Sequence, residues 1–577
     1  MRFVALTVVL LIAGAAASYG QSETPATTPT VFGSPALVQT YQATITPRDL
    51  AAHLYLIASD DFEGRATGTR GQKLAARYLA SQYRRLVLAP KGTVATDDPY
   101  ALEAYFQPFP LYGRRLVRAT LRATRDGRAV AASTFQPDAP DGRAFLSFGT
   151  VPESQGGLVF AGYGIADPGL GYDDYAALAD AGIETAGRWL LLLRDEPLAG
   201  PESSRLPTPD GAPSRWTTQP FEKLRTAFSR AAPAGILIVG DAGPGAIDVA
   251  EGAARQARVL RNDPGPLSLT EQGYRRPFPP AYVITRAMAD SLLAATGHTV
   301  ETLQRTIDGA LRPAVFAVPG VTVESRIEEA DFTASTENVA AFLEGTDPAL
   351  RHEVVVISSH YDHIGIDPLA EGDAVRNGAD DDGSGTVAML EMAEAFARAR
   401  REGAGPRRSI LFLHVTGEEI GLLGSRYFTD HEPLVPLDAI VANLNMDMIG
   451  RYDPTHPTGS RDYVYLIGSR LISEELHAIN ARVNTLTGTA LELDERFNSK
   501  DDPNQFYRRS DHWNFGKHGI PFIFYFTGIH DDYHGPDDEP DRVDYDRVAR
   551  IARLIFATAW QVDNQDERPA VSGTGFN

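Results

Sequence analysis

One stretch leaves this chain few folding options: residues 354–385, VVVISSHYDHIGIDPLAEGDAVRNGADDDGSG. It opens with Val354, Val355, Val356 and Ile357, an unbroken β-branched run that predicts a strand buried on both faces. His360 and Asp362 stand where that strand should stop. A polar loop follows, then Asp380, Asp381 and Asp382, then Gly383-Ser384-Gly385. Next comes a helix whose inward face carries Val387, Leu390, Ala393 and Phe396 or Ala397. Strand, loop and helix in this order bring a histidine and several acids to one edge of a sheet. In open α/β sheets the carboxyl edge is where sites are built.

The same texture continues to the end. SILFLHVT reads as a strand followed by Gly417-Glu418-Glu419 and a helix, and AIVANLNMDMIG as a strand ending at Asp447. YVYLIG, a helix from Ser473, the strand IPFIFYFT and a last helix capped by Asp544 complete the pattern. Strands alternating with helices predict an α/β fold, with a mixed, mostly parallel sheet sandwiched by helices.

A chain of 577 residues predicts two or three domains. Residues 1–20, MRFVALTVVLLIAGAAASYG, have the arginine, the short apolar run and the small residues of a secretory signal. That run is too short for a stable membrane anchor. Residues 21–45 read as a flexible lead rich in Pro, Thr and Ser. Thr46-Pro47-Arg48-Asp49 reads as a helix start, which opens a first part of the main domain over 46–145. Residues 146–318 have core signals of their own and no cluster of metal-type ligands, so they read as a β-rich inserted domain. Residues 319–565 return to the main domain, and 566–577 read as a disordered tail. Arg65, in a Gly-rich connection, reads as a structural clamp. No cysteine is present, which removes thiol nucleophiles and sulfur-based zinc sites. The formal net charge of -21 argues against nucleic-acid and anionic-membrane partners.

His360, Asp381, Glu419, Asp447 and His534 each follow an apolar strand or the loop after one. Carboxylate oxygens and imidazole nitrogens without sulfur suit zinc or a similar divalent ion. Two histidines and three carboxylates, one of them shared, can hold two ions about 3.5–4 Å apart. Glu418 and Glu419 leave a strand in different directions, so one can bind metal while the other faces substrate as a general base. Asp362, two residues after His360, can fix the imidazole tautomer. Each feature alone has a plain structural reading: a satisfied histidine, a helix start, a capping turn. Asp511 and His512 read as pocket wall, Tyr533 as a possible neighbour of substrate, and His363 and His530 as surface or outer residues. No Gly-any-Ser-any-Gly elbow, His-Glu-any-any-His helix or phosphate loop is present.

The order SSHYDHIG, NGADDDGSG, VTGEEIGLLGS, NLNMDMIG, SDHWNFGKHGIPFIFY and DYHGPDDEPD resembles the secreted co-catalytic zinc aminopeptidases, relatives of glutamate carboxypeptidase II and the transferrin receptor. The resemblance covers roughly 46–120 and 320–560. More loosely, through VFAGYGI and YDDY, the block before 318 is similar to their inserted protease-associated domain. The resemblance implies a zinc exopeptidase fold and two Zn²⁺ per chain. One would be held by His360, Asp381 and Asp447, the other by Asp381, Glu419 and His534. Glu418 would be the general base, Asp362 the histidine orienter, and the Asp381-Asp382 peptide cis. It implies an exported, periplasmic or extracellular aminopeptidase that removes N-terminal residues from peptides with a metal-activated water. A carboxypeptidase or dipeptidase on the same scaffold, or a non-catalytic receptor-like homologue, stays open. The extra block precedes His360 and the stretch from Asp447 to His534 is short, which favours the aminopeptidase group.

Overall fold

The computed structural model describes residues 34–219, 221–262, 265–273 and 277–573. The signal-like segment 1–20 lies outside them. Among the described residues no helix is long and apolar enough to cross a membrane.

The run at 354 forms the strand Val354–His360, with all seven residues buried. It lies between Ser409–Val415 and Ile440–Met446, parallel to both, and Phe522–Phe526 runs parallel beyond the latter. Alternation decides which face each side chain joins. Val355, Ile357, Ile410 and Phe412 enter one core, together with the helices Pro47–Ile57, Arg70–Arg85, Gly385–Arg401 and Tyr545–Asn564. Val354, Val356, Leu411, Leu413 and Val415 enter the core on the opposite face, with Phe428 and Phe515. Burial on both faces is why these strands read as continuous apolar runs. The expected caps form: Thr46 accepts from the Asp49 N–H and Asp544 from the Arg547 N–H.

The sheet does not end with this lobe. A 29-residue strand, Val315–Leu343, pairs antiparallel with Ser409–Val415 through its end and with Glu153–Ala161 through its start. The 20-residue strand Phe106–Arg125 accompanies it over most of its length. Beyond Glu153–Ala161 the sheet continues through Trp189–Leu193, Gly235–Val239 and Ala281–Ile284, all parallel. Helices Phe221–Ala231, Val249–Asn262, Arg286–Leu293 and Val300–Ala310 belong to the same lobe. This lobe is therefore α/β, and the expectation of a β-rich block is corrected. Its core also draws on Ala119, Leu121 and Phe135 and on Val321, Val323 and Ile327. As packed, the lobe is wider than 146–318.

Both ends of the chain also differ from expectation. Ser34 caps a helix, Pro35–Gln42, which buries Val38, Tyr41 and Gln42, and Tyr41 stacks on Trp560 at 5.6 Å. Residues 34–45 are thus part of the core, not a flexible lead. In the tail, Ser572 and Gly573 donate backbone hydrogen bonds to the Ile472 carbonyl, and Asp566 pairs with Arg407. Residues 566–573 lie against the body; 574–577 are outside the described residues.

Candidate metal centre

Three parallel strands end side by side, and the polar groups follow from their ends. His360 is the last residue of its strand, Glu418 and Glu419 come just after Val415, and Asp447 comes directly after Met446. Asp381 sits in the loop leading to Gly385–Arg401, and His534 lies beyond Phe522–Phe526. His360 Nε2 is 3.3 Å from Asp381 Oδ1, 3.5 Å from Asp447 Oδ1 and 4.0 Å from Glu418 Oε2. His534 Nε2 is 3.1 Å from Asp381 Oδ2 and 3.1 Å from Glu419 Oε2. The five residues named from the sequence converge, and the two oxygens of Asp381 face different histidines. The Asp381-Asp382 peptide is cis. Met448 and His534 hold the left-handed backbone region, at φ 52° and 57°, a conformation uncommon outside glycine that collects at functional sites.

The three consecutive aspartates are all buried, so they are no solvated turn. Their duties are divided. Asp380 accepts the Gly450 N–H at 2.6 Å. Asp382 accepts the Gly385 N–H, capping the helix, and the Met448 N–H. Ser384 Oγ accepts the Ile449 N–H. Together they bind the loop after Asp447 and leave Asp381 to the histidines. Asp538 accepts the backbone N–H groups of Asp380 and Asp381 and holds the loop from below.

Asp362 acts differently from expectation. The nearest partner of His360 Nδ1 is the Asp362 carbonyl, at 3.1 Å, with the carboxylate at 3.7 Å. That carboxylate accepts from Thr67 Oγ1 at 2.7 Å and from the Glu418 N–H at 3.3 Å. It ties the Glu418 turn to the histidine strand. Of the two readings of His363 and His530, the surface one is corrected: they are 1% and 6% exposed and lie inside, against Glu419 and Asp380 respectively. His512 packs on Phe524 at 4.5 Å, and burial lowers its pKa to about 3. Phe524 in turn lines the cleft beside Asp381. Asp511 accepts from Ser425 Oγ, and burial raises its pKa to about 7.

The electrostatics show an excess of buried negative charge. Burial works against a charged His360, but Asp447, Glu418 and Asp381 outweigh it and hold its pKa well above the usual value. His534 rises to about 10 for the same reason, through Asp381 and Glu419. Burial pushes the Glu418 carboxyl well up, with Asp447, Glu419 and Asp511 adding to it. Burial also opposes the charge of Asp381, yet its contacts with His360 and His534 keep its pKa well below normal. His360 Nε2, His534 Nε2 and Glu419 Oε1 are shielded from solvent and have no hydrogen-bond partner. Buried polar atoms are rarely left so. Donor atoms of His360, Asp382 and Asp447, and of His363, Asp381 and Glu419, form two groups within 4.8 Å. Orphaned nitrogens and oxygens aimed at one another beside surplus carboxylates fit a set of divalent cations.

Residues 338–559, which contain all of these groups, match peptidase family M28. The chain is 26% identical over 230 residues to aminopeptidase YwaD of Bacillus subtilis (strain 168), covering 38% of this chain and 43% of that protein. It is 31% identical over 287 residues to a probable zinc metalloprotease of Pyricularia oryzae, covering 43% of this chain and 53% of the relative. Among solved structures it is similar to the aminopeptidase from Aneurinibacillus sp. strain AM-1. That match has a TM-score of 0.48 and 16% identity, over 92% of this chain and 97% of the other. The chain spans about half the length of the curated relatives it matches.

Two further residues shape the centre. Arg65 is 1% exposed, and its guanidinium donates to the carbonyls of Tyr361, Ile57, Asn377 and Gly378. It clamps the histidine strand to the aspartate loop, as the sequence reading suggested. Gly378 has φ +55°, and a Cβ there would lie 2.4 Å from both the Asp381 carbonyl and the His363 ring. Gly378→Ala is expected to cost about 3 kcal/mol or more, from left-handed strain plus overpacking, and to displace Asp381. Denaturant unfolding and zinc content, measured together, check this; an alanine variant equal to wild type in both would refute it.

A cleft opens beside Asp381, Glu418 and Asp447, with Met448, Phe506, Phe524, Phe526, Ile529 and Tyr533 as apolar wall. Tyr533 stacks on His534 at 3.8 Å. Arg509 stands on the same wall, its guanidinium 5.1 Å from the Phe506 ring centre. Among the described residues no carboxylate lies within ion-pair distance of it. No feature singled out in the sequence marked Arg509; Asp382 and Asp538 lie in the motifs NGADDDGSG and DYHGPDDEPD without an assigned role.

Proposed function

We propose that this chain is an exported zinc-dependent aminopeptidase that removes N-terminal residues from peptides. The observation that carries the reading is the convergence of two histidines and three carboxylates around a sixth group, Glu418, which has a free carboxylate. His360, Asp381 and Asp447 would hold one zinc ion; Asp381, Glu419 and His534 would hold the other. Zinc bound there would supply Lewis-acid polarisation of the scissile carbonyl and would acidify water.

The chain's own residues account for the rest. Glu418, made proton-hungry by burial and by neighbouring acids, would accept the proton of the attacking water and deliver it to the leaving amine. Asp362, holding the Glu418 N–H, would keep that carboxylate on the His360 side. The acidic rim would favour a substrate's α-ammonium group. The apolar wall from Met448 to Tyr533 would take its first side chain and exclude water. Export is supported by the signal pattern of residues 1–20. The second lobe, in this reading, is a protease-associated domain inserted into the peptidase.

A panel of aminoacyl chromogenic substrates, with and without chelator and zinc rescue, tests the proposal. Hydrolysis of apolar aminoacyl substrates that falls with chelator and returns with zinc is the expected result. Undiminished cleavage by metal-stripped protein would refute it.

Arg509 favours a second reading, carboxypeptidase or dipeptidase action, because a guanidinium without an ion-pair partner on the cleft wall can receive a substrate carboxylate. Peptides blocked at either end separate the two. An aminopeptidase cleaves carboxyl-blocked peptides and ignores amino-blocked ones. Under the second reading that preference reverses, and Arg509→Ala raises KM for free-carboxyl substrates about tenfold or more, the loss of a charge-assisted hydrogen bond.

A further inference from the structure

His363 has no part in the chemistry above, yet its surroundings demand one. The residue is 1% exposed, and neither ring nitrogen has a hydrogen-bond partner. Leaving buried polar atoms unsatisfied costs about 1–3 kcal/mol each. Nδ1 lies 2.7 Å from Glu419 Oε1 and 3.8 Å from Asp381 Oδ2, and the ring stands edge-on to His534 with centroids 5.6 Å apart. The 2.7 Å approach is an ion-pair contact without hydrogen-bond alignment. A buried imidazole nitrogen that close to a carboxylate oxygen, grouped with Asp381 within 4.8 Å, is placed as donors sharing one cation are placed.

The ring is also held where it is. Gly378 presses on it from one side, with room only for a hydrogen at its α-carbon. The backbone N–H of His363 donates to the Arg65 carbonyl, and Ala66 pairs with His363 as an isolated bridge. The arginine clamp that holds the histidine strand therefore fixes His363 as well.

We propose that His363 is a third imidazole donor of the centre, binding through Nδ1 the cation that Asp381, Glu419 and His534 would hold. The inference rests on the two-cation reading given above. Counting donors, the second position then has four protein groups, the number that closes a zinc site. The first, with His360, Asp381 and Asp447, has three and keeps a place open. The two positions become unequal: the second is the tighter, and the first is the one that admits a reacting group.

Cobalt-loaded protein tests this without reference to activity. Each imidazole bound to paramagnetic cobalt contributes one strongly shifted, solvent-exchangeable N–H proton signal. Three such signals are expected in wild type and two in His363→Gln. The tighter zinc step in calorimetric titration should weaken by about a hundredfold or more, beyond the ten- to hundredfold typical of residues that merely orient a ligand. Two signals in wild type, unchanged in the variant, with two ions still bound, would overturn the assignment and leave the two-cation reading standing. Uptake of no cobalt by wild type would overturn both. The wild-type signal count decides the matter even if His363→Gln fails to fold.

Discussion

Replacing Glu418 by alanine is expected to lower kcat/KM by about 10²–10⁴-fold, the usual contribution of a general base, while zinc content stays at the wild-type value. The geometry separates the two adjacent glutamates. Glu419 Oε2 is 3.1 Å from His534 Nε2, within the proposed donor set. Among the described residues the Glu418 carboxylate has one ion-pair contact, His360 at 4.0 Å, and it forms part of the cleft wall. Glu419→Ala should therefore lose metal and activity together, whereas Glu418→Ala should lose activity alone. Metal analysis beside steady-state kinetics distinguishes them. A Glu418→Ala variant within tenfold of wild type would remove that residue from the proton-transfer role.

Asp381→Asn is expected to reduce bound zinc below one ion per chain and to abolish turnover. Its two oxygens face His360 at 3.3 Å and His534 at 3.1 Å, so one substitution withdraws a donor from both positions. An amide of the same shape offers one oxygen and a nitrogen that cannot ligate. Zinc should stabilise wild type, by about 2.7 kcal/mol per site at a hundred times Kd, and should leave the variant unmoved. Without metal the variant should be less stable than wild type at neutral pH, because His360 and His534 hold Asp381 ionised and its charge offsets theirs. Thermal unfolding with and without zinc measures all of this. A zinc-dependent rise in Tm equal to that of wild type would show that Asp381 is not shared.

Periodicity made much of the main lobe legible. Val354–Ile357, Ile410–Leu413 and Phe522–Phe526 are apolar at every position because both faces of their strands are covered, and such runs can be recognised without a fold in hand. Caps are equally local: Thr46 and Asp544 act on N–H groups three residues away. The second lobe was harder to read. Val249–Asn262 and Val300–Ala310 pass as polar stretches until seen against the sheet that buries Ala253, Ala257, Leu303 and Ile307. Pro35–Gln42 was read as a flexible lead because its partner, Trp560, stands at the far end of the chain.

By itself the sequence determined the strands, the order of their polar endings, and the positions of the five candidate donors with Glu418 beside them, since alternation and motif spacing are properties of neighbouring residues. Only the tertiary structure decided that Asp381 faces the histidines while Asp380 and Asp382 turn to the loop after Asp447, that Arg65 clamps the floor, and that His363 is drawn inside. Those directions are set by hydrogen bonds and contacts between distant segments, such as Asp538 with the Asp381 N–H 157 residues away and Arg65 with the Gly378 carbonyl 313 residues away, and no local pattern encodes them.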